Sequence, residues 1–202
     1  MNTLLQSVRP ALSLFVVMTA LTGVAYPLLV TGIAQAAFPH AANGSIVTVD
    51  GQAVGSTLIG QSFSAPKYFW SRPSATGPMA NNGVASGGSN WGANNPALAD
   101  AVKARIDALH AADPAQKKSV PIDLVTASGS GLDPDISLAA ALYQMPRIAR
   151  ARGIREQAVQ DLIDAQARMP WLGVVGEPRV NVLALNLALD GKAAGTTITP
   201  AR

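Results

Sequence analysis

Two short stretches contain residue types that could do chemistry. The first, Ala85 to Pro96, reads ASGGSNWGANNP and places three glycines, three asparagines and two serines around one tryptophan. Adjacent glycines let backbone N–H groups converge on a phosphate, and a Walker loop adds Lys and then Ser or Thr after its last glycine. No Gly-Lys-Ser or Gly-Lys-Thr occurs in the chain. Paired glycines are common in turns, so a structural turn is the expectation. The second stretch, Ser64 to Lys67, reads SAPK and fits the bare Ser-x-x-Lys pattern of serine acyl-enzymes. That chemistry needs a helix to bring both side chains to one face, and Pro66 disfavours one. An exported serine hydrolase is the rival function this pair would support.

The remaining candidates are weaker. His40 and His110 are far apart and lack both His-Glu-x-x-His and triad context, so no catalytic or metal site is expected; His110, at a helix end, faces solvent. Asp133 and Asp135 in GLDPDIS could attract a cation, but turn formation and helix capping by Asp ahead of Ile136 and Ser137 explain them more simply. Arg147, Arg150, Arg152 and Arg155 form a basic run that could meet lipid headgroups or a partner's carboxylates, with a solvated helix face as the default.

Positioning any of these depends on where the chain lies. Of 202 residues, 49% are apolar and only 13% charged, well below the roughly 25% usual in soluble domains. Part of the chain is therefore expected not to face water. The net charge of +3 is a small imbalance, not a dense basic surface, and nucleic acid is not an expected partner. The chain has no cysteine, which excludes disulfides, thiolate metal sites and thiol nucleophiles.

From Ala11 to Phe38 no side chain is charged. A helix over 11–34 would be about 36 Å long against a hydrocarbon core of roughly 30 Å, so it is long enough to cross a bilayer. Arg9 is the only charged side chain before it, and the next charge is Asp50. The positive-inside rule then puts residues 1–10 in the cytoplasm and 35–202 outside. The alternative is a cleaved signal peptide, since Ala34-Gln-Ala36 has the small-x-small form of a cleavage site; a soluble exported binding protein would result. Thr19, Gly23, Pro27 and Thr31 recur every four residues on one helix face, where small side chains would let a partner helix approach closely.

The exported part reads as one α/β or α+β domain. Alternation on either side of Asp50-Gly51 predicts a β-hairpin. The stretch 62–96 is rich in turn residues but carries Tyr68, Phe69, Trp70 and Trp91, so a loop packed on the domain is expected. Asn95 and Pro96 start a helix with Leu98, Val102, Ile106 and Leu109 on one stripe, and Asp113-Pro114 ends it. The spacing then predicts a buried strand in SVPIDLVTAS, helices over 137–144, 146–151 and 155–168, and a last helix capped by Asn181 and stopped at Gly191.

Taken in order, the segments RPAL, YPLL, NGS, LIGQSF, YFWSRPSA, ASGGSN, VTASGSGLDPDIS, QMPRIARAR and VNVLALNLALD span nearly the whole chain. Together they resemble the C subunit of the bacterial Kdp potassium-transporting P-type ATPase complex. The resemblance implies a non-catalytic accessory subunit of the inner membrane, with one membrane helix and a periplasmic domain. It also implies as partners a potassium-channel-like subunit and an ATP-hydrolysing pump subunit. It implies a role in raising the pump's ATP affinity, although no cofactor is expected to bind this chain directly. On that basis Trp70, Arg72, Ser86, Gly87, Gly88, Ser89, Asn90 and Trp91 are the expected partner surface outside the membrane, and Thr19, Gly23 and Pro27 the one within it.

Overall fold

The computed structural model describes residues 2–170 and 176–191. The chain divides in sequence between Ile46 and Val47 into two compact units. The first is helical: α1 (Asn2–Thr19), a π-helical stretch (Ala20–Ala25) and α2 (Tyr26–Ala37) follow without interruption, and the short α3 (Pro39–Ala42) comes after. Within this rod Ser7–Ala37 is long and apolar enough to cross a membrane, and its apolar side chains are exposed along its length.

The wide stretch has a local cause. Pro27 has no N–H to give, and its ring would press on the carbonyl of Gly23 four residues earlier. A π turn before it spaces the carbonyls differently. Within it the Thr22 hydroxyl donates to the Met18 carbonyl at 2.7 Å, as Ser13 does to Arg9 in the regular helix before it. The stripe of small residues is affected too. In an α-helix four residues overrun one turn by about 40°. A wider turn removes some of that drift and keeps Thr19, Gly23 and Pro27 closer to one line.

The hairpin of β1 (Ile46–Val49) and β2 (Gln52–Ser56), which belongs to the second unit from Val47 on, turns on Asp50 at φ 52° and Gly51 at φ 79°, as the alternation predicts. The stretch 57–95 has no helix or strand, yet Phe69 at its centre is fully buried. α4 (Pro96–Ala112) is capped by Asn95, whose side chain accepts from the Ala97 N–H at 2.9 Å. Its stripe packs inward through Val102, Ile106 and buried Leu109. Then come β3 (Asp135–Ser137), α5 (Leu138–Arg152), α6 (Glu156–Gln166), β4 (Ala167–Arg168), β5 (Arg179–Asn181) and α7 (Val182–Leu189). The sheet order is β3-β5-β4 with every pairing antiparallel, so of the two expected classes the α+β one applies. Ile136 opposite Val180 joins this small sheet to a core that includes Ile148, Val159, Ile163 and Leu185.

Four expectations are corrected. SVPIDLVTAS is not a strand: Ile122–Leu124 forms a single 3-10 turn, because Pro121 breaks the ladder and Asp123 is used as an acceptor by Ser137. Residues 137–151 are not two helices. α5 runs through Pro146, because residues on both sides of it, Ala140, Ala141, Tyr143 and Gln144 before and Arg147 to Ala149 after, are buried and packing overrides the local cost of about 3 kcal/mol. The cap of α5 is Ser137, whose hydroxyl accepts from the Ala140 N–H at 3.0 Å, whereas Asp133 accepts from the Asp135 N–H in a turn and Asp135 is a strand residue. Finally, the arginine run is a solvated face only in part: Arg150 and Arg155 are exposed, but Arg147 is buried, since the 62–74 segment lies over it. The α6 helix starts after Arg155 and stops at Gln166, where Ala167–Arg168 join the sheet.

Candidate functional site

The segment 65–75, which carries YFWSRPSA and lies as a strap across the domain, has no ladder partner, so its backbone polar groups need other ones. Side chains of α5 and α7 supply them. Gln144 accepts from the Trp70 N–H at 2.8 Å and donates to the Trp70 carbonyl at 3.1 Å. Asn186 does the same for Phe69, at 2.8 and 3.0 Å. Two side-chain amides thus stand in for a neighbouring strand. Gln144 and Arg147 are three apart on α5 and so share a face; Arg147 donates to the Tyr68 carbonyl at 3.0 Å, to the Pro66 carbonyl and to Gln144. Its guanidinium lies 4.7 Å from the centre of the Trp70 ring. Burial pushes its pKa down to about 10, with Asp113 pulling it back up, so the group is charged at neutral pH and all its bonds are charge-assisted.

One turn along, Arg152 donates to the carbonyls of Lys67 and Leu189 and to Asp190, each at 2.8 Å. The Tyr68 hydroxyl donates to the other Asp190 oxygen at 2.8 Å. That hydrogen bond, with burial, raises the Tyr68 pKa. For Asp190 burial pushes upward, but the hydrogen bonds from Arg152 and Tyr68 outweigh it and hold the carboxyl below the usual range.

The glycine-rich stretch has a structural use. The Gly87 N–H donates to the Ser130 carbonyl at 2.9 Å, and the Ser86 hydroxyl donates to the same oxygen at 3.0 Å. A Cβ on Gly88 would lie 2.9 Å from the Gly129 carbonyl oxygen, and one on Gly131, at φ 68°, 2.7 Å from that of Gly87. ASGGSN and SGSG are therefore glycine-rich so that two backbones can touch. The same turn holds the strap's far end, through Ser128 N–H to Pro73 and the Ser74 hydroxyl to Gly131. Arg72, next in sequence, pairs with Asp133 at 2.8 Å.

The residues of the expected partner surface are thus distributed as follows. Ser86, Gly87 and Gly88 lie against the 128–131 turn beside Pro73 and Ser74; Ser89 is half-buried, Asn90 is exposed at φ 52°, and Trp91 is 41% exposed. Trp70 is half-buried under Arg147. Thr19, Gly23 and Pro27 belong to the other unit. Ser64 to Lys67 lie in a turn, with the Tyr68 N–H donating to Ala65, so the helix a Ser-x-x-Lys pair needs is missing there. His110 is exposed. Among the described residues no group of three or more His, Asp or Glu is placed to hold a metal ion.

Residues 8–191 match the family described as KdpC, the K+-transporting ATPase c chain. The chain belongs to the KdpC family. The "Potassium-transporting ATPase KdpC subunit" of Janthinobacterium sp. (strain Marseille) is 62% identical over 182 residues, 90% of this chain and 96% of that one. The protein of the same name from Sorangium cellulosum (strain So ce56) is 62% identical over 188 residues, 93% and 99% of the two chains. That of Polaromonas naphthalenivorans (strain CJ2) is 63% identical over 182 residues, 90% and 93%. The KdpC match takes in the apolar rod, the strap and both helices that grip it. Sequence reasoning missed the grip itself: Gln144, Arg147, Arg152, Asn186 and Asp190. One signal was available in Asn186, a lone amide in the otherwise apolar helix VLALNLAL, which must find partners once buried.

Proposed function

We propose that this chain is a single-pass, non-catalytic accessory subunit of a potassium-transporting ATPase complex. Residues 11–34, within the apolar helix Ser7–Ala37, cross the inner membrane with residues 1–10 in the cytoplasm, and the α+β unit lies on the periplasmic side. There it assembles and stabilises a potassium-channel-like subunit and an ATP-hydrolysing pump subunit. The observation that carries this reading is the exposed, apolar rod of 31 residues, with no charge after Arg9, ahead of a domain whose glycine-rich turns are used on backbone packing. The names of its relatives support the potassium-transport setting. Any increase in the pump's ATP affinity is exerted through the partner subunits, not through nucleotide held in the 85–90 turn.

Two measurements test this. Purification of the tagged full chain in mild detergent should bring down the two large subunits together. A cysteine replacing Val84, which is 98% exposed, should react with a membrane-impermeant maleimide in intact spheroplasts. Labelling only after lysis would put the domain in the cytoplasm and overturn the topology.

A further inference from the structure

A second feature, on the side of the strap facing α4, is not used by the grip. A cleft of about 220 Å³ opens there, walled by Phe63, Trp70, Leu109 and Leu124 and carrying two guanidinium groups, Arg72 and Arg105. No carboxylate lines it. Arg72 is matched by Asp133. Arg105 is different: it is half-buried, and among the described residues its side chain is in no ion pair and makes one hydrogen bond, from Nη1 to the Val125 carbonyl at 2.7 Å. Burial lowers its pKa, the signature of a cation taken partly out of water. A guanidinium has five N–H donors in a rigid fork. One bond to Val125 fixes its direction and leaves the rest of the fork available. A desolvated cation without a counter-charge costs free energy unless something supplies the anion.

We propose that this cleft is a docking pocket for one acidic side chain, a Glu or Asp beside an apolar neighbour, presented by a periplasmic loop of a partner membrane subunit. The carboxylate pairs with Arg105, and the apolar neighbour packs on Trp70 and Phe63. Size favours a side chain over a free small molecule, whose pockets usually run to about 300–1,000 Å³. Residue type favours a protein interface, where Trp and Arg supply most of the anchoring. This inference rests on the accessory-subunit reading above and adds to it a residue and a chemistry.

The test uses the full chain in its membrane complex. Arg105→Glu should reduce recovery of the partner subunits about tenfold or more in detergent pull-down, as loss of a partly buried interfacial pair does. Arg105→Lys should retain most of it. A photocrosslinking amino acid in place of Ala108, an exposed residue of the cleft wall, should attach to a partner peptide that contains Asp or Glu, without altering Arg105. Thermal unfolding of each variant separates loss of docking from loss of fold, and the Ala108 crosslink stands even if Arg105→Glu does not fold. Crosslinks to lipid alone, or unchanged recovery with Arg105→Glu, would overturn the pocket while leaving the accessory role intact. If the unmodified chain brings down no potassium-transport subunits, the reading beneath it fails first.

Discussion

Replacing Asn186 with Leu would remove a side chain of similar size that holds both polar groups of Phe69. The Phe69 N–H and carbonyl, bonded to Asn186 at 2.8 and 3.0 Å, would be left without partners beside a side chain that is fully buried. Each orphaned buried group costs about 1–3 kcal/mol, so the pair costs roughly 4, from which the greater apolarity of Leu recovers about 1. The net loss, about 3 kcal/mol, is a large share of the roughly 5–15 kcal/mol that holds a domain together. For a chain of this length it corresponds to a fall in Tm of about 6–12 °C. The full chain in detergent, followed by circular dichroism on heating, reports this directly, and Trp70 emission reports release of the strap. Gln157→Leu, on the exposed face of α6, should change stability by no more than about 0.5 kcal/mol. If Asn186→Leu melts within about 2 °C of the parent chain, the amides do not carry the strap and its order has another source.

Further outcomes follow from the glycine contact and the Asp190 latch. Gly131→Ala should destabilise by about 2 kcal/mol or more, because a positive φ and a Cβ 2.5 Å from the Thr76 methyl act together. Gly129→Ala, where a Cβ meets nothing within 4 Å, should be nearly neutral in the same melting assay. Asp190, depressed in the folded state, contributes stability that is present above the ordinary Asp value of about 3.9 and is lost as pH falls through its lower folded value. Asp190→Asn should therefore flatten the acid side of a Tm-against-pH curve measured from pH 3 to 7, and an unchanged acid limb would refute the latch. Tyr68, raised by Asp190, contributes stability that is lost only as pH climbs past about 10.

Local signals were legible where local physics decides. The hairpin at Asp50-Gly51, the Asn95-Pro96 start of α4 and the Asn181 cap of α7 all depend on residues within a few positions of one another, and all appear as expected. The failures share a cause in contacts distant along the chain. Pro146 signals a break, but core burial on both sides of it carries the helix through. Asp123 looks like part of an apolar strand until Ser137, fourteen residues on, takes both its oxygens. Arg147 follows the rule for a surface cation and is instead covered by carbonyls some eighty residues earlier. At the glycine-rich turn the sequence indicates a structural turn, but the facing turn at 128–131 against which it packs becomes visible only in three dimensions.

The way residues 66–70 are held also bears on what they can become. Gln144 and Asn186 hydrogen-bond only main-chain atoms of this stretch, and Arg147 adds to its carbonyl bonds a single side-chain contact, with the Trp70 ring, so the frame is indifferent to most of what the stretch displays outward. Proline at 69 or 70 would forfeit a donor and spring the strap, whereas Lys67, whose carbonyl alone Arg152 engages, can be exchanged for other side chains with the backbone path unchanged. Such a mount would let the presented surface be retuned to a different counterpart without redesigning the frame beneath it.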